Sequence, residues 1–157
     1  MTTQLHIESP DADFTQALGK SIGEMVSPGD VILLTGELGS GKTQFTKGIA
    51  RGLMSEQEPR SPTFVLLAKY KGRMDIYHAD LYRLDNGYSE VFDIGLDEVM
   101  HSNGVTIVEW AEKAFNNFQE DHLWVHFEVI EYDHRKIRLY PKGRRYEQLL
   151  MHFSDRV

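Results

Sequence analysis

Gly36-Glu37-Leu38-Gly39-Ser40-Gly41-Lys42-Thr43 is a complete G-x-x-x-x-G-K-[ST] phosphate loop, and its spacing gives each residue a task. Glycines let consecutive backbone N–H groups curl around a β-phosphate, the Lys42 ammonium reaches β and γ oxygens, and the Thr43 hydroxyl ligates Mg²⁺. The flanks agree with the loop. Upstream, Asp30-Val31-Ile32-Leu33-Leu34 is a short apolar β-branched run; downstream, Phe45, Ile49, Ala50 and Leu53 recur at helical spacing. The loop therefore falls between a buried strand and a helix N-terminus, where free amides and the helix dipole both favour an anion. Glu37, Leu38, Gly39, Ser40, Gly41, Lys42 and Thr43 are the candidate residues for a nucleoside triphosphate.

Composition bounds the partners. A chain of 157 residues is expected to form one domain, 1–157, around a single sheet. Seventeen basic and 24 acidic residues leave a formal charge of −7, so the overall field repels nucleic acid and direct DNA binding is not expected. The absence of cysteine excludes disulfides and thiolate zinc sites and fits a reducing compartment. Met1 to His6 lacks a basic stretch followed by an apolar one, and no run approaches the ~20 apolar residues of a membrane span. The expectation is a soluble, cytoplasmic protein.

Outward from the loop, Leu5 to Glu8 alternates like an edge strand, and Ser9-Pro10-Asp11 opens a helix with Phe14, Leu18, Ile22 and Met25 as its apolar stripe. A polar, proline-punctuated stretch from Glu56 to Thr63 leads to a strand, Phe64 to Tyr70. Lys71-Gly72-Arg73 then turns into a second strand, Met74 to Leu81. So short a turn makes these two strands antiparallel neighbours, and the sheet mixed. Ser89 to Met100 reads as a helix with Val91, Ile94, Leu96 and Val99 inward. Val105-Thr106-Ile107-Val108 reads as a central parallel strand whose carboxyl end, Glu109, points at a ligand crevice. Leu123, Val125, Phe127 and Val129 alternate with polar positions before a turn near Asp133, predicting an antiparallel hairpin to Ile137–Tyr140, and Tyr146 to Phe153 reads as a short helix.

Hydrolysis needs carboxylates at strand ends facing the loop. Glu109 stands where the second acidic motif of phosphate-loop ATPases ends its strand. Asp80 ends the strand before it, and two roles fit: the metal shell, or a cap on the turn before Tyr82. Ser61 and Thr63 lie where a switch loop senses a γ-phosphate, although an ordinary turn explains them too. Trp110 suits core and site equally. His122 and His126, four apart on a strand, are separated by ~13 Å, too far to share one ion, and read as surface residues. Lys142-Gly143-Arg144-Arg145 reads as a solvated turn or as a contact for a partner or RNA.

Taken in order, the phosphate loop, Ser61-Pro62-Thr63-Phe64, His78-Ala79-Asp80-Leu81-Tyr82-Arg83-Leu84 and Val108-Glu109-Trp110 resemble the bacterial TsaE (YjeE) family over nearly the whole chain. That is the small ATPase of tRNA threonylcarbamoyladenosine biosynthesis. The resemblance implies an α/β, phosphate-loop-NTPase-like three-layer fold with a central parallel sheet flanked by antiparallel strands. It also implies ATP and Mg²⁺ as cofactors. TsaD and TsaB are the implied partners: they transfer the threonylcarbamoyl group to the adenosine 3′ of the anticodon, and ATP hydrolysis supports their turnover, so tRNA is met only indirectly. On this resemblance Lys42, Asp80 and Glu109 are catalytic, Thr43, Glu109 and Asp80 form the metal shell, Trp110 is a functional neighbour, and Asp11 and Arg135 contact the base.

Two other classes fit a phosphate loop: a small-molecule phosphotransferase, which also needs an acceptor pocket and a lid, and a nucleotide-gated binding module with incidental hydrolysis. No Asn-Lys-x-Asp string for guanine and no Leu-Ser-Gly-Gly string of transporter ATPases occurs. Arg60 and Arg83 are the nearest arginines in sequence that could serve as a finger over the γ-phosphate, and a poor ATPase that depends on assembly is expected.

Overall fold

The computed structural model describes residues 4–60, 67–84 and 95–157. Among these residues seven strands form one sheet: β1 (Leu5–Ser9), β2 (Val31–Thr35), β3 (Leu67–Lys71), β4 (Asp75–Asp80), β5 (Val105–Glu109), β6 (His122–Glu131) and β7 (His134–Lys142). Their spatial order is β1-β7-β6-β2-β5-β4-β3. β6, β2, β5 and β4 run parallel, β3 pairs antiparallel with β4, and β7 pairs antiparallel with both β6 and β1. The mixed α/β architecture, central parallel strands flanked by antiparallel ones, is the one expected from sequence.

Strand alternation builds two cores. In β2, Ile32 and Leu34 join one apolar cluster and Val31 and Leu33 the other, on opposite faces of the sheet. The larger cluster lies under α1 (Ala12–Met25), α2 (Lys42–Gly52) and α4 (Arg144–Ser154). The smaller is covered by α3 (Leu96–Met100) and a 3₁₀ helix over Ala111–Asn117. Strands buried on both faces read as near-continuous apolar runs, which is why Val31 to Leu34 and, Thr106 excepted, Val105 to Val108 lack polar alternation.

α1 starts where the Asp11 carboxylate caps it, accepting the Phe14 amide at 2.8 Å. It crosses α2 through a paired small-residue spacing, Gly19 and Gly23 on one helix, Gly48 and Gly52 on the other. A methyl group at Gly19 would stand 2.2 Å from the Phe45 carbonyl oxygen, and one at Gly48 would stand 2.1 Å from that of Gln16. The two backbones touch, and only glycine fits between them.

Several expectations change. Phe14, placed on the inward stripe, is 40% exposed, because the first turn of α1 carries it beyond the apolar cluster. His122 is buried and His126 half-buried rather than surface; they share their side of β6 with Trp124, and His122 meets Phe115 edge-on. The basic stretch is not a free turn. Arg144 and Arg145 begin α4, and Arg145 pairs with Asp30 at 2.7 Å. β6 lies beside β2 as well as β7, a neighbour its alternation did not name. Of the helix expected over 89–100, the described part is α3, entered from Gly95 with φ +80°. Val91 and Ile94, like Ser61, Thr63 and Phe64, fall outside the described residues. Among the described residues no helix is long and apolar enough to cross a membrane.

α4 is tied to the sheet by the Tyr146 hydroxyl, which accepts the Val31 amide at 2.8 Å. Burial pushes that hydroxyl up to about 12. Tyr146→Phe leaves the Val31 amide without this acceptor and is expected to cost about 1–3 kcal/mol at neutral pH, measured by urea denaturation. Between pH 10 and 12 the unfolded chain releases the Tyr146 proton before the folded one does, so wild-type stability falls. The gap between wild type and Tyr146→Phe should therefore narrow over that window.

Candidate functional site

The carboxyl ends of three parallel strands converge on one edge of the sheet. β2 runs into the phosphate loop, β5 ends at Glu109, and β4 ends at Asp80, with Leu34 paired to Glu109 and Glu109 to Asp80. Period-two alternation then aims side chains: Val105, Ile107 and Glu109 share one face of β5, and Ile76, His78 and Asp80 share the same face of β4. That face lies under α2, whose first turn carries Lys42 and Thr43.

The loop is shaped by backbone that few residues accept. Gly41 sits at φ +111° immediately before α2, where a side chain would strain the chain. Lys42 is buried and folds over its own loop, donating to the carbonyls of Gly36 at 2.5 Å and Glu37 at 2.9 Å and to Ser40 Oγ at 3.3 Å. Its ammonium also lies 4.1 Å from the centroid of the Trp110 ring. Burial lowers the Lys42 pKa, and the charges of Glu112, Glu109, Asp80 and Glu37 oppose the shift.

Glu109 is only 1% exposed. Thr43 Oγ1 donates to its Oε1 at 2.9 Å, Thr46 Oγ1 reaches Oε2 at 3.3 Å, and His78 Nε2 lies 2.6 Å from Oε2. Asp80 is buried at the next strand end, where its Oδ1 accepts the Tyr82 amide at 3.0 Å; the cap on that turn is formed, beside the other carboxylate. The oxygens of Thr43 and Glu109 are the hard donors that Mg²⁺ takes, and a phosphate-bound Mg²⁺ needs only one or two from the protein.

A cleft of about 290 Å³ opens beside the loop, lined by Leu38 to Gln44, Glu109, Trp110, Ala12 and Thr15 of α1, Asp133 of the β6–β7 turn and Arg135 at the start of β7. Arg135 Nη2 donates to the Gly39 carbonyl at 3.0 Å, so the hairpin tip touches the loop. Asp11 stands one residue from this wall with its carboxylate engaged in the α1 cap, and Ala12 lines the cleft in its place. The structure thus gathers Lys42, Thr43, Glu109, Asp80, Trp110 and Arg135. Three further residues belong to the same geometry: Thr46, one helical turn beyond Thr43; His78, two before Asp80; and Glu112, whose Oε2 accepts the Gly36 amide at 2.9 Å. The strand period could have marked His78. Glu112 is brought there by the left-handed turn at Trp110, φ +58°, which no local pattern announces.

The profile of the family described as threonylcarbamoyl adenosine biosynthesis protein TsaE matches residues 9–137. A relative from Bacillus subtilis, described as tRNA threonylcarbamoyladenosine biosynthesis protein TsaE, is 38% identical over 152 residues, covering 96% of this chain and 94% of the relative. A protein of the same description from Treponema pallidum is 39% identical over 129 residues, 82% of this chain and 95% of its own. The crystal structure of Bacillus subtilis YdiB superposes with a TM-score of 0.83 at 34% identity, covering 99% of this chain and 97% of that one.

Truncation of Lys42 to Ala removes the ammonium that donates to the Gly36 and Glu37 carbonyls. The expected result is a loss of Mg-ATP affinity of about tenfold or more, since a buried charge-assisted contact contributes ~1.5–3 kcal/mol. Isothermal titration of the variant checks it, and wild-type affinity would remove Lys42 from phosphate binding.

Proposed function

The chain belongs to the TsaE family, and from that membership and the site we propose that it is a single-domain ATPase. It binds and hydrolyses Mg-ATP in support of a TsaB–TsaD pair that forms threonylcarbamoyladenosine in tRNA. The observation that carries the reading is the 2.9 Å bond between Thr43 of the phosphate loop and Glu109 of β5. It joins a phosphate-binding helix N-terminus to an acidic strand end, the combination that hydrolysis requires and mere phosphate binding does not.

In this reading the amides from Gly39 to Thr43 hold the β-phosphate at the α2 N-terminus and Lys42 spans the β and γ oxygens. Arg135 and the start of α1 wall the cleft for the remainder of the nucleotide. Thr43 and Glu109 would hold Mg²⁺, which supplies neutralisation of charge on the β and γ oxygens. Asp80, buried beside Glu109, shapes the same acidic edge and helps to order the attacking water. That water adds to the γ-phosphorus as the bond to ADP breaks, yielding ADP and inorganic phosphate. Positioning and charge are the whole of the catalysis, with no covalent intermediate on the protein.

Neutralising either carboxylate removes stabilisation that matters most in the transition state. Glu109→Gln and Asp80→Asn are expected to lower turnover about 100-fold or more while Mg-ATP affinity falls no more than about tenfold, on the scale of other preorganised electrostatic contacts. Steady-state kinetics and titration on the same preparations check this split.

The decisive test of function is ATP hydrolysis with and without purified TsaB and TsaD. The isolated chain should be slow, and the pair should raise its rate at least about tenfold, since a charge or ordered loop supplied on docking contributes up to ~10³-fold or more in such hydrolases. Multiple-turnover tRNA modification should require hydrolysable ATP. Full activity alone, with modification normal in its absence, would refute the proposal.

A further inference from the structure

A carboxylate buried as deeply as that of Glu109 must have its oxygens satisfied by protein, and the direction it faces is set by whichever donors hold it. Two of its polar neighbours stand on α2, the helix that also carries the phosphate loop: Thr43, which donates to it, and Thr46, whose hydroxyl also faces the Lys42 carbonyl at 3.0 Å. The third does not. His78 comes from β4, is 0% exposed, and makes the shortest of the three contacts, 2.6 Å from its Nε2 to Glu109 Oε2.

A carboxylate oxygen can only accept, so Nε2 carries a proton in every form of the ring that makes this bond. The other ring nitrogen has its own neighbour: Nδ1 lies 3.4 Å from the Tyr70 hydroxyl of β3, which also lies 3.4 Å from the Arg60 carbonyl. The Tyr70 hydroxyl has one proton, for that carbonyl or for Nδ1, and in either arrangement its oxygen stands against the ring edge opposite Glu109. Packing alone calls for neither contact; an apolar residue would fill the same place. An arginine there would orient the oxygen too, but its permanent charge would cancel the one a cation needs.

We propose that His78 is the positioning residue of this site: its Nε2–H fixes Glu109 Oε2 so that the carboxylate is preset, with Thr43, as an oxygen ligand for the nucleotide's divalent cation, and Tyr70 holds the ring in that orientation. The inference rests on the reading of Glu109 as a metal ligand. Partners of this kind typically set metal affinity over ~10–100-fold.

The test is titration of ATP with Mg²⁺ and with EDTA into wild type, His78→Leu, His78→Gln and Glu109→Gln. The gain in ATP affinity on adding Mg²⁺ should fall about tenfold in His78→Leu, as in Glu109→Gln, while affinity in EDTA stays within about twofold of wild type. His78→Gln, whose side-chain amide can donate near the position of Nε2, should recover most of the gain. A purely structural role would instead lower both affinities together, or lower only the melting temperature. An unchanged Mg²⁺ gain in His78→Leu, or a Gln variant as impaired as the Leu variant, overturns the proposal.

A second readout needs neither nucleotide nor a mutant that folds. The proton spectrum of the wild-type chain alone should contain a far-downfield, exchange-protected imidazole N–H resonance, and its absence overturns the contact itself. If that resonance is present but wild type gains nothing from Mg²⁺, the metal reading of Glu109 fails, and the inference with it.

Discussion

α1 and α2 meet backbone to backbone at four glycines, and the geometry of the cleft follows from that contact. Gly19 and Gly23 lie against Phe45 and Ile49; Gly48 and Gly52 lie against Gln16 and Lys20. Because backbone rests on backbone at these four positions, the crossing yields little to a shift. The start of α1 is thereby held at a fixed distance from the start of α2, so Ala12 and Thr15 form one wall of the cleft and Lys42 and Thr43 another. The Ser9 and Thr15 hydroxyls, 2.7 Å apart and buried, join β1 to the same helix. A nucleotide's phosphates and the rest of its body would meet surfaces that were aligned before it arrived.

The sheet supplies the complementary constraint. Four parallel strands bring their carboxyl ends to one edge, and alternation decides which residues look toward α2. Glu109 and Asp80 both do, as register partners on adjacent strands. Two buried acids side by side would repel one another; the arrangement answers with Lys42 nearby and with donors aimed at each carboxylate. The polar interior of the site is thus a single connected network in which Thr43, Thr46, His78 and Glu109 depend on one another's placement. Among the described residues that are not exposed, no buried side-chain nitrogen or oxygen lacks a hydrogen-bond partner.

Local patterns were legible and distant pairings were not. The phosphate loop, the strand before it and the helix after it are written in consecutive residues, and the Lys71-Gly72-Arg73 turn dictates its hairpin whatever surrounds it. Leu123, Val125 and Phe127 reveal which way β6 faces, but alternation carries no information about a neighbour; β2, some ninety residues earlier, becomes that neighbour only when the sheet assembles. His122 and His126 were misplaced for the same reason, since their side of the strand becomes interior through Phe115 of a 3₁₀ helix that no periodicity foretold. In the site, Lys42, Thr43 and Glu109 could be read from motif and strand end. Glu112 could not, because a left-handed Trp110 turns the chain to deliver it. Ser61 and Thr63 lie outside the described residues.

Among the described residues β1 finds its only strand neighbour in β7, with Leu5 opposite Leu139 and Ser9 opposite Arg135. During synthesis the first strand therefore emerges long before the one it will pair with, and more than a hundred residues must follow before its backbone groups are met by the sheet. Until then it presents open amides and carbonyls together with Leu5 and Ile7, the apolar side that later packs on the main core. His6 and Glu8 on the other side keep half of that strand polar while it waits. Closing β1 onto β7 joins early and late parts of the chain, and β2 likewise waits for β5 and β6, so the whole sheet depends on long-range closure.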